Sequence, residues 1–213
     1  MFNAPVSSAS PLAPSPLGPG ALKTRWRTVD IVIVALIGAV FGVIYWAWGY
    51  FPASSVFAFF APAAAFTNTV FLMAGPLAML IVRRPGAALA GELLAALFEA
   101  MVSVQWSGSS IIVYGLIQGA GAEAVFLVMR YRNWSWPAAL LSGACSGVAM
   151  AALDLWIYRY YPTYSGGWQL GYVIAALVGG VVIAGGLSWL LVRALAVTGV
   201  LAPFASGRQQ KLV

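Results

Sequence analysis

The chain has 213 residues, 62% of them hydrophobic and 8% charged, with a mean hydropathy of +0.91. An ordinary globular domain carries roughly a quarter charged residues, so this composition defines an integral membrane protein. At about 20 residues per span, the length accommodates roughly six helices and excludes a separate extramembrane domain. The net charge of +6 sits mainly at the ends of the apolar runs. It therefore reports orientation in the membrane, and with no basic stripe interleaved with aromatics it excludes nucleic-acid binding. Histidine is absent and Cys145 is the single cysteine. That excludes an internal disulfide and any His-containing zinc, haem or proton-relay site, and no metal or cofactor is expected.

Residues 1–22 contain five of the twelve prolines. Proline interrupts every apolar stretch that a signal peptide would need, so the segment reads as a disordered cytoplasmic tail. The basic cluster Lys23, Arg25 and Arg27 then precedes a first span from Val29 to about Trp48, which puts the N-terminus inside. Ala35 with Ala39, and Gly38 with Gly42, form two small-xxx-small pairs, suited to internal helix packing or to docking of a separate membrane subunit. Trp46, Trp48 and Tyr50 mark the outer exit as an aromatic belt, and Trp46 is also a candidate to stack on a ligand.

Pro52 and Pro62 break the next apolar region. It reads as a span from about Asn68 to Val82 preceded by a short helical piece, Ser54–Phe60, or as one span bent at Pro62; Gly75 and Pro76 add a possible kink. The third span, about Gly86 to Val104, is opened by Pro85, and the fourth runs from about Ser109 to Met129. Trp134 and Trp136 form an inner aromatic girdle before a fifth span from Pro137 to about Trp156, which carries the small pair Gly143 and Gly147. The outer loop Tyr158 to Trp168, YRYYPTYSGGW, suits a membrane interface or a flexible cover over a cavity. A sixth span covers about Leu170 to Leu191, and residues 196–213 read as a short cytoplasmic tail after a membrane domain over 23–195. In this topology ten of the eleven basic residues lie inside and only Arg159 lies outside. The expected fold is thus an all-α bundle of six transmembrane helices in the cell membrane with both termini cytoplasmic.

Polar groups inside the hydrocarbon are costly and mark function by default. Glu92 and Glu99 are seven residues apart and share a helix face. At about 1.5 Å per residue, Glu99 stands roughly 20 Å from the inner end of its span and Glu92 about 9 Å. On the antiparallel fourth span Glu123 lies at about the depth of Glu92, with Gln118 and Tyr114 nearer Glu99. The outer layer is then Glu99, Tyr114 and Gln118, overlaid by Gln105 and Trp106. Such a pocket, open to the outside, pairs Glu99 with a cationic ring or amine, uses Gln118 on a heteroaromatic edge, and stacks Tyr114 or Trp106 on the ring. Asn68 caps the second span or reaches this pocket from above. Glu92 and Glu123 are deeper candidates, whose depth also suits internal pairing or contact with a partner; the spacing of Gly115, Gly119 and Glu123 favours an architectural role for the last. Asp154 reads as an outer-edge ion pair with Arg159, and Asp30 with Arg27 as its inner counterpart.

No nucleotide-binding loop, inverted repeat of broken helices or nucleophile–base pair is present, so the chain reads as a capture subunit without an engine of its own and with no catalytic residue. The alternatives are a stand-alone facilitator, an intramembrane enzyme acting on a small polar or cationic substrate, or a structural subunit. Three stretches then carry a resemblance: WRTVDIVIVALIGAVFGVIYW (Trp26 to Trp46), RRPGAALAGELLAALFE (Arg83 to Glu99) and GLIQGAGAEAVFLVMRYRNW (Gly115 to Trp134). In this order the chain resembles the YkoE family, substrate-binding S components of energy-coupling factor (ECF) transporters, over about residues 24–195. The resemblance implies a six-helix protein that binds thiamin or its hydroxymethylpyrimidine precursor from the outer side. It also implies a transmembrane coupling subunit and two cytoplasmic ATPase subunits or domains as partners, with Ala35 and Ala39 at the coupling contact. Thiamin suits an acidic, aromatic pocket because its thiazolium is permanently cationic, whereas the free pyrimidine lacks that charge.

Overall fold

The first apolar run folds as α1, Thr28–Ala53, whose inward face carries Val34, Phe41 and Tyr45. Its opposite face leaves Val32 and Leu36 more than half exposed, as a helix bathed in lipid does and a water-soluble one avoids. The protein is represented by a computed structural model that describes residues 25–53, 60–103 and 108–210. The proline-rich tail of residues 1–22, Lys23, residues 54–59 of the expected short helical piece, Gln105, Trp106 and Lys211 lie outside the described residues.

The second apolar region is α2 (Ala61–Asn68), a tight turn over Thr69–Leu72, and α3 (Ala74–Val82). Pro62 stands in the first turn of α2, where its missing N–H costs nothing. The span therefore starts at Ala61, not Asn68, and is not bent at Pro62. Its break falls beyond Leu72, because Pro76 cannot donate to the Leu72 carbonyl and its ring crowds the preceding turn. Every residue of α3 is buried.

The turn out of α3 places Arg83 and Gly86 in the left-handed region, at φ 54° and 84°, a conformation that glycine adopts without penalty. Beyond it are α4 (Ala87–Val102), α5 (Gly108–Val128) and α6 (Trp136–Ala152), the last running on through a wide π turn at Leu153–Ile157. The final long helix is α7 (Gly166–Gly179), a π segment (Gly180–Leu187) and α8 (Ser188–Val197), longer at both ends than the expected Leu170–Leu191. Five helical stretches among the described residues are long and apolar enough to cross a membrane: Thr28–Tyr50, Ala61–Val82, Gly108–Val128, Trp136–Ile157 and Gly166–Val197. The fold is all-helical and multi-pass; α4, with 16 residues, is shorter than these.

Small residues set the packing. Gly38 and Gly42 let α1 lie directly on α4 at Leu94–Ala95 and Phe98–Glu99, so this glycine pair serves internal packing. Ala35 and Ala39 beside them are half-buried. Gly143 and Gly147 bring α6 against the backbone of Ala176, Gly180 and Gly185. The segment expected as a free C-terminal tail is partly built into the core: Leu201 and Phe204 are buried, and the Ser206 hydroxyl donates to the Ile81 carbonyl at 3.2 Å. A short helix, α9 (Ala205–Gln210), follows.

At the basic end of the bundle, Asp30 is fully buried and accepts from Arg27 Nη2 at 2.7 Å, with Arg84 Nε 3.5 Å away. The expected Arg27–Asp30 pair is present, and Arg84 joins it.

Candidate functional site

At the opposite end of the bundle from Arg83, Arg84, Arg130, Arg132 and Arg193, the helices line an open cavity of about 460 Å³. That volume suits one small organic molecule. Its wall draws on the end of α1 (Tyr45, Gly49), on α2 and the turn after it (Ala64, Asn68, Phe71), on α4 (Glu92, Ala96, Glu99) and on the first half of α5 (Ser110, Tyr114, Gln118). Met150 and Asp154 of α6, Tyr160 and Tyr161 of the following loop, and Tyr172 of α7 complete it.

Five residues singled out from sequence line this space: Asn68, Glu92, Glu99, Tyr114 and Gln118. Trp46 does not; it is half-exposed and meets Tyr50 edge to face at 5.7 Å. Glu123 lies elsewhere, at the start of α4. Its carboxylate accepts from the amides of Gly86 (2.6 Å), Ala88 (2.9 Å) and Leu89 (3.3 Å) and from the Tyr131 hydroxyl (2.8 Å). It caps the helix that carries Glu92 and Glu99, satisfying amides with no partner inside the helix.

The cavity acids differ in how far the protein already occupies them. Glu92 accepts from the Tyr45 hydroxyl at 3.1 Å and from the Gly75 amide at 2.7 Å, while Tyr45 itself accepts from the Ala74 amide at 2.9 Å. The break before Pro76 frees these two amides, and Glu92 and Tyr45 re-satisfy them. Glu99, in contrast, is 7% exposed and lines the cavity, and its side chain has no hydrogen-bond or ion-pair partner among the described residues. The Gln118 side-chain amide is equally free among them, although the Gln118 carbonyl accepts from Ser146. Asn68 Oδ1 is buried without a partner. Three polar side chains thus face one cavity with unused hydrogen-bonding capacity, an arrangement that costs stability unless a ligand or water completes it.

Aromatic rings form the rest of the wall. Tyr45 meets Phe71 at 5.4 Å edge to face, and Tyr161 lies 5.3 Å from Tyr172. Tyr158 stacks on Tyr114 at 5.3 Å and 12°. The outer loop is therefore a cover: Tyr160 and Tyr161 line the cavity, and burial holds both phenols above their ordinary pKa.

Asp154 is a cavity-lining residue that the sequence reading placed elsewhere. It does not bond Arg159 at the surface but accepts from the hydroxyls of Tyr114 and Tyr172, the latter at 2.7 Å. The π turn carries it inward, and sequence spacing gives no warning of such a turn. Tyr45, Phe71 and Tyr172 were missed because an inward aromatic and a lipid-facing one read alike in an apolar run.

An all-helical membrane bundle with an acidic, aromatic cavity at one end has the form of a membrane-embedded receptor for a small molecule. Comparison with known proteins then makes the identification specific. A family model described as "ABC-type cobalt transport system, permease component" matches residues 29–149, more than half of the chain. The "Putative HMP/thiamine permease protein YkoE" of Bacillus subtilis (strain 168) is 36% identical over 187 residues, covering 87% of this chain and 92% of that protein. A solved structure described as "Crystal structure of an S-component of ECF transporter" superposes with a TM-score of 0.82 at 36% identity, covering 88% of this chain and 94% of that one. The chain belongs to the YkoE family of ECF transporter S components. It is a substrate-binding subunit of an importer, not an enzyme.

Proposed function

We propose that the cavity captures thiamin, or its hydroxymethylpyrimidine precursor, from the outer side of the cell membrane. The observation that carries this reading is the convergence of Glu99, Gln118 and Asn68, all with unused polar capacity, on a chamber walled by tyrosines. An aminopyrimidine presents donors and acceptors for Gln118 and Asn68 and a flat ring for the tyrosines. A thiazolium adds a fixed positive charge that Glu99 and the aromatic faces stabilise. The family model's description names cobalt, but among the described residues no three His, Cys, Asp or Glu side chains converge as ligands would. Glu92 and Asp154 already accept from Tyr45, Gly75, Tyr114 and Tyr172, which favours an organic ligand.

In this reading α4 is the third of six spans, and both termini are cytoplasmic. With α4 counted, the chain crosses an even number of times and the arginine-rich end faces inward, as the positive-inside bias requires. Energy comes from a transmembrane coupling subunit and two cytoplasmic ATPase subunits or domains, with Ala35 and Ala39 at the coupling contact. Support for these partners is the family membership, together with the half-buried position of the alanine pair next to the glycines that hold α4.

The test is titration of the purified chain in detergent with each ligand, followed by tryptophan fluorescence and calorimetry, alongside flux measurements in liposomes holding this chain alone. Saturable 1:1 binding of one or both ligands without flux is expected. Binding of neither by a folded sample, or sustained flux without partners, refutes the proposal.

A further inference from the structure

Asp154, like Glu92, is a cavity-lining acid that the capture chemistry leaves unused. It is 6% exposed and stands where α6 widens into the π turn Leu153–Ile157, and such turns occur mostly at functional sites. Its two carboxylate oxygens are taken by two different cavity-lining rings: Oδ1 accepts from Tyr114 and Oδ2 from Tyr172. Its main-chain carbonyl accepts from the Tyr160 amide at 3.0 Å, so the same residue holds the start of the loop over the cavity.

Tyr114 is presented in a particular way. Tyr158 covers one of its faces in a near-parallel stack at 5.3 Å, yet Tyr158 does not line the cavity whereas Tyr114 does. The uncovered side of Tyr114 therefore meets the cavity. A phenol ring alone pivots about its side-chain torsions, broadly so at the ring itself. Bonding its hydroxyl to a buried carboxylate, with a second ring behind it, removes that freedom before any ligand arrives, which is how preorganisation raises affinity.

We propose that Asp154 is a positioning residue for ligand capture: with both carboxylate oxygens taken by the hydroxyls of Tyr114 and Tyr172, it fixes the aromatic platform on which the flat ring of the ligand stacks. This rests on the reading of the cavity as the capture site. The platform serves a ring common to thiamin and its pyrimidine precursor, so Asp154 sets affinity for both ligands alike, whereas Glu99 separates them by charge.

The experiment uses the full chain, titrated with thiamin and with hydroxymethylpyrimidine in four forms: wild type, Asp154→Asn, Tyr114→Phe, and the double variant. Tyr114→Phe keeps the ring and removes only the hydroxyl, so it carries the test even if Asp154→Asn folds poorly. Each single variant is expected to weaken whichever ligand binds by roughly 5- to 20-fold, with the ratio between the ligands unchanged. The double variant is expected to be no weaker than the worse single one, the mark of two residues acting through one bond. Wild-type affinity in Tyr114→Phe, or losses that simply add, overturns the positioning role while leaving the capture site standing. A folded wild type that binds neither ligand overturns both.

Discussion

Glu123→Ala separates architecture from ligand contact most sharply. Glu123 accepts from three amides at the start of α4, those of Gly86, Ala88 and Leu89, and from Tyr131. Alanine leaves all four donors without their acceptor. A buried donor that loses its partner costs about 1–3 kcal/mol. Ala88 is fully buried, whereas Gly86 and Leu89 are half-buried and partly regain water. The expected destabilisation is therefore about 3–5 kcal/mol rather than the sum of the maxima. For a chain of this size that lowers the unfolding midpoint by on the order of 10 °C. Because Glu123 does not line the cavity, Glu123→Ala that remains folded at low temperature should bind ligand within about twofold of wild type. The assay is thermal unfolding in detergent followed by tryptophan fluorescence, with a ligand titration at 4 °C. An unchanged midpoint, or a wild-type midpoint with binding abolished, would show that Glu123 does not cap α4.

Three further outcomes follow from named contacts. Tyr45→Phe should lower stability by about 1–3 kcal/mol, because the buried Ala74 amide loses its acceptor and Glu92 a donor; chemical unfolding in detergent measures it. Gly143→Ala places a methyl group onto the Gly180 carbonyl and the Gly185 amide, both backbone and unable to yield cheaply, so folded yield should collapse on size-exclusion chromatography. Burial and the neighbouring Glu123 hold the Tyr131 phenol above its ordinary value of 10. A raised folded-state value means that this stabilisation is complete below about pH 10 and fades as pH climbs through it; the midpoint advantage of wild type over Tyr131→Phe should be flat from about pH 7 to 9 and shrink above about 10.

Helical rise alone brings three of the cavity-lining residues together: Glu99, Gln118 and Tyr114 are set on antiparallel helices, and a fixed 1.5 Å per residue places them in one layer. The same arithmetic put Glu92 and Glu123 deeper, but depth alone does not say what a carboxylate bonds. The bond partners of Glu92 exist because Pro76 breaks a helix contributed by a different span. Those of Glu123 exist because Gly86 turns the chain in the left-handed region. Asp154 was misplaced for a physical reason as well: the nearest cation in sequence, Arg159, sits beyond a π turn that points the carboxylate inward. Helix boundaries followed the apolar runs closely for α1, α5 and α6. The last helix runs past both expected ends because no proline lies between Ser165 and Thr198 to stop it sooner.

We propose Glu99 as the unpartnered carboxyl group that a small heteroaromatic ligand meets in the cavity. The direct measurement is calorimetric titration of wild type and Glu99→Gln with thiamin and with hydroxymethylpyrimidine. Glutamine keeps the shape and one acceptor but removes the carboxyl group facing the thiazolium, a loss of about 2–3 kcal/mol, or roughly 30- to 150-fold in thiamin affinity. Affinity for the uncharged pyrimidine should move by less than about fivefold. Equal losses for both ligands, or none for thiamin, would show that Glu99 does not face the thiazolium.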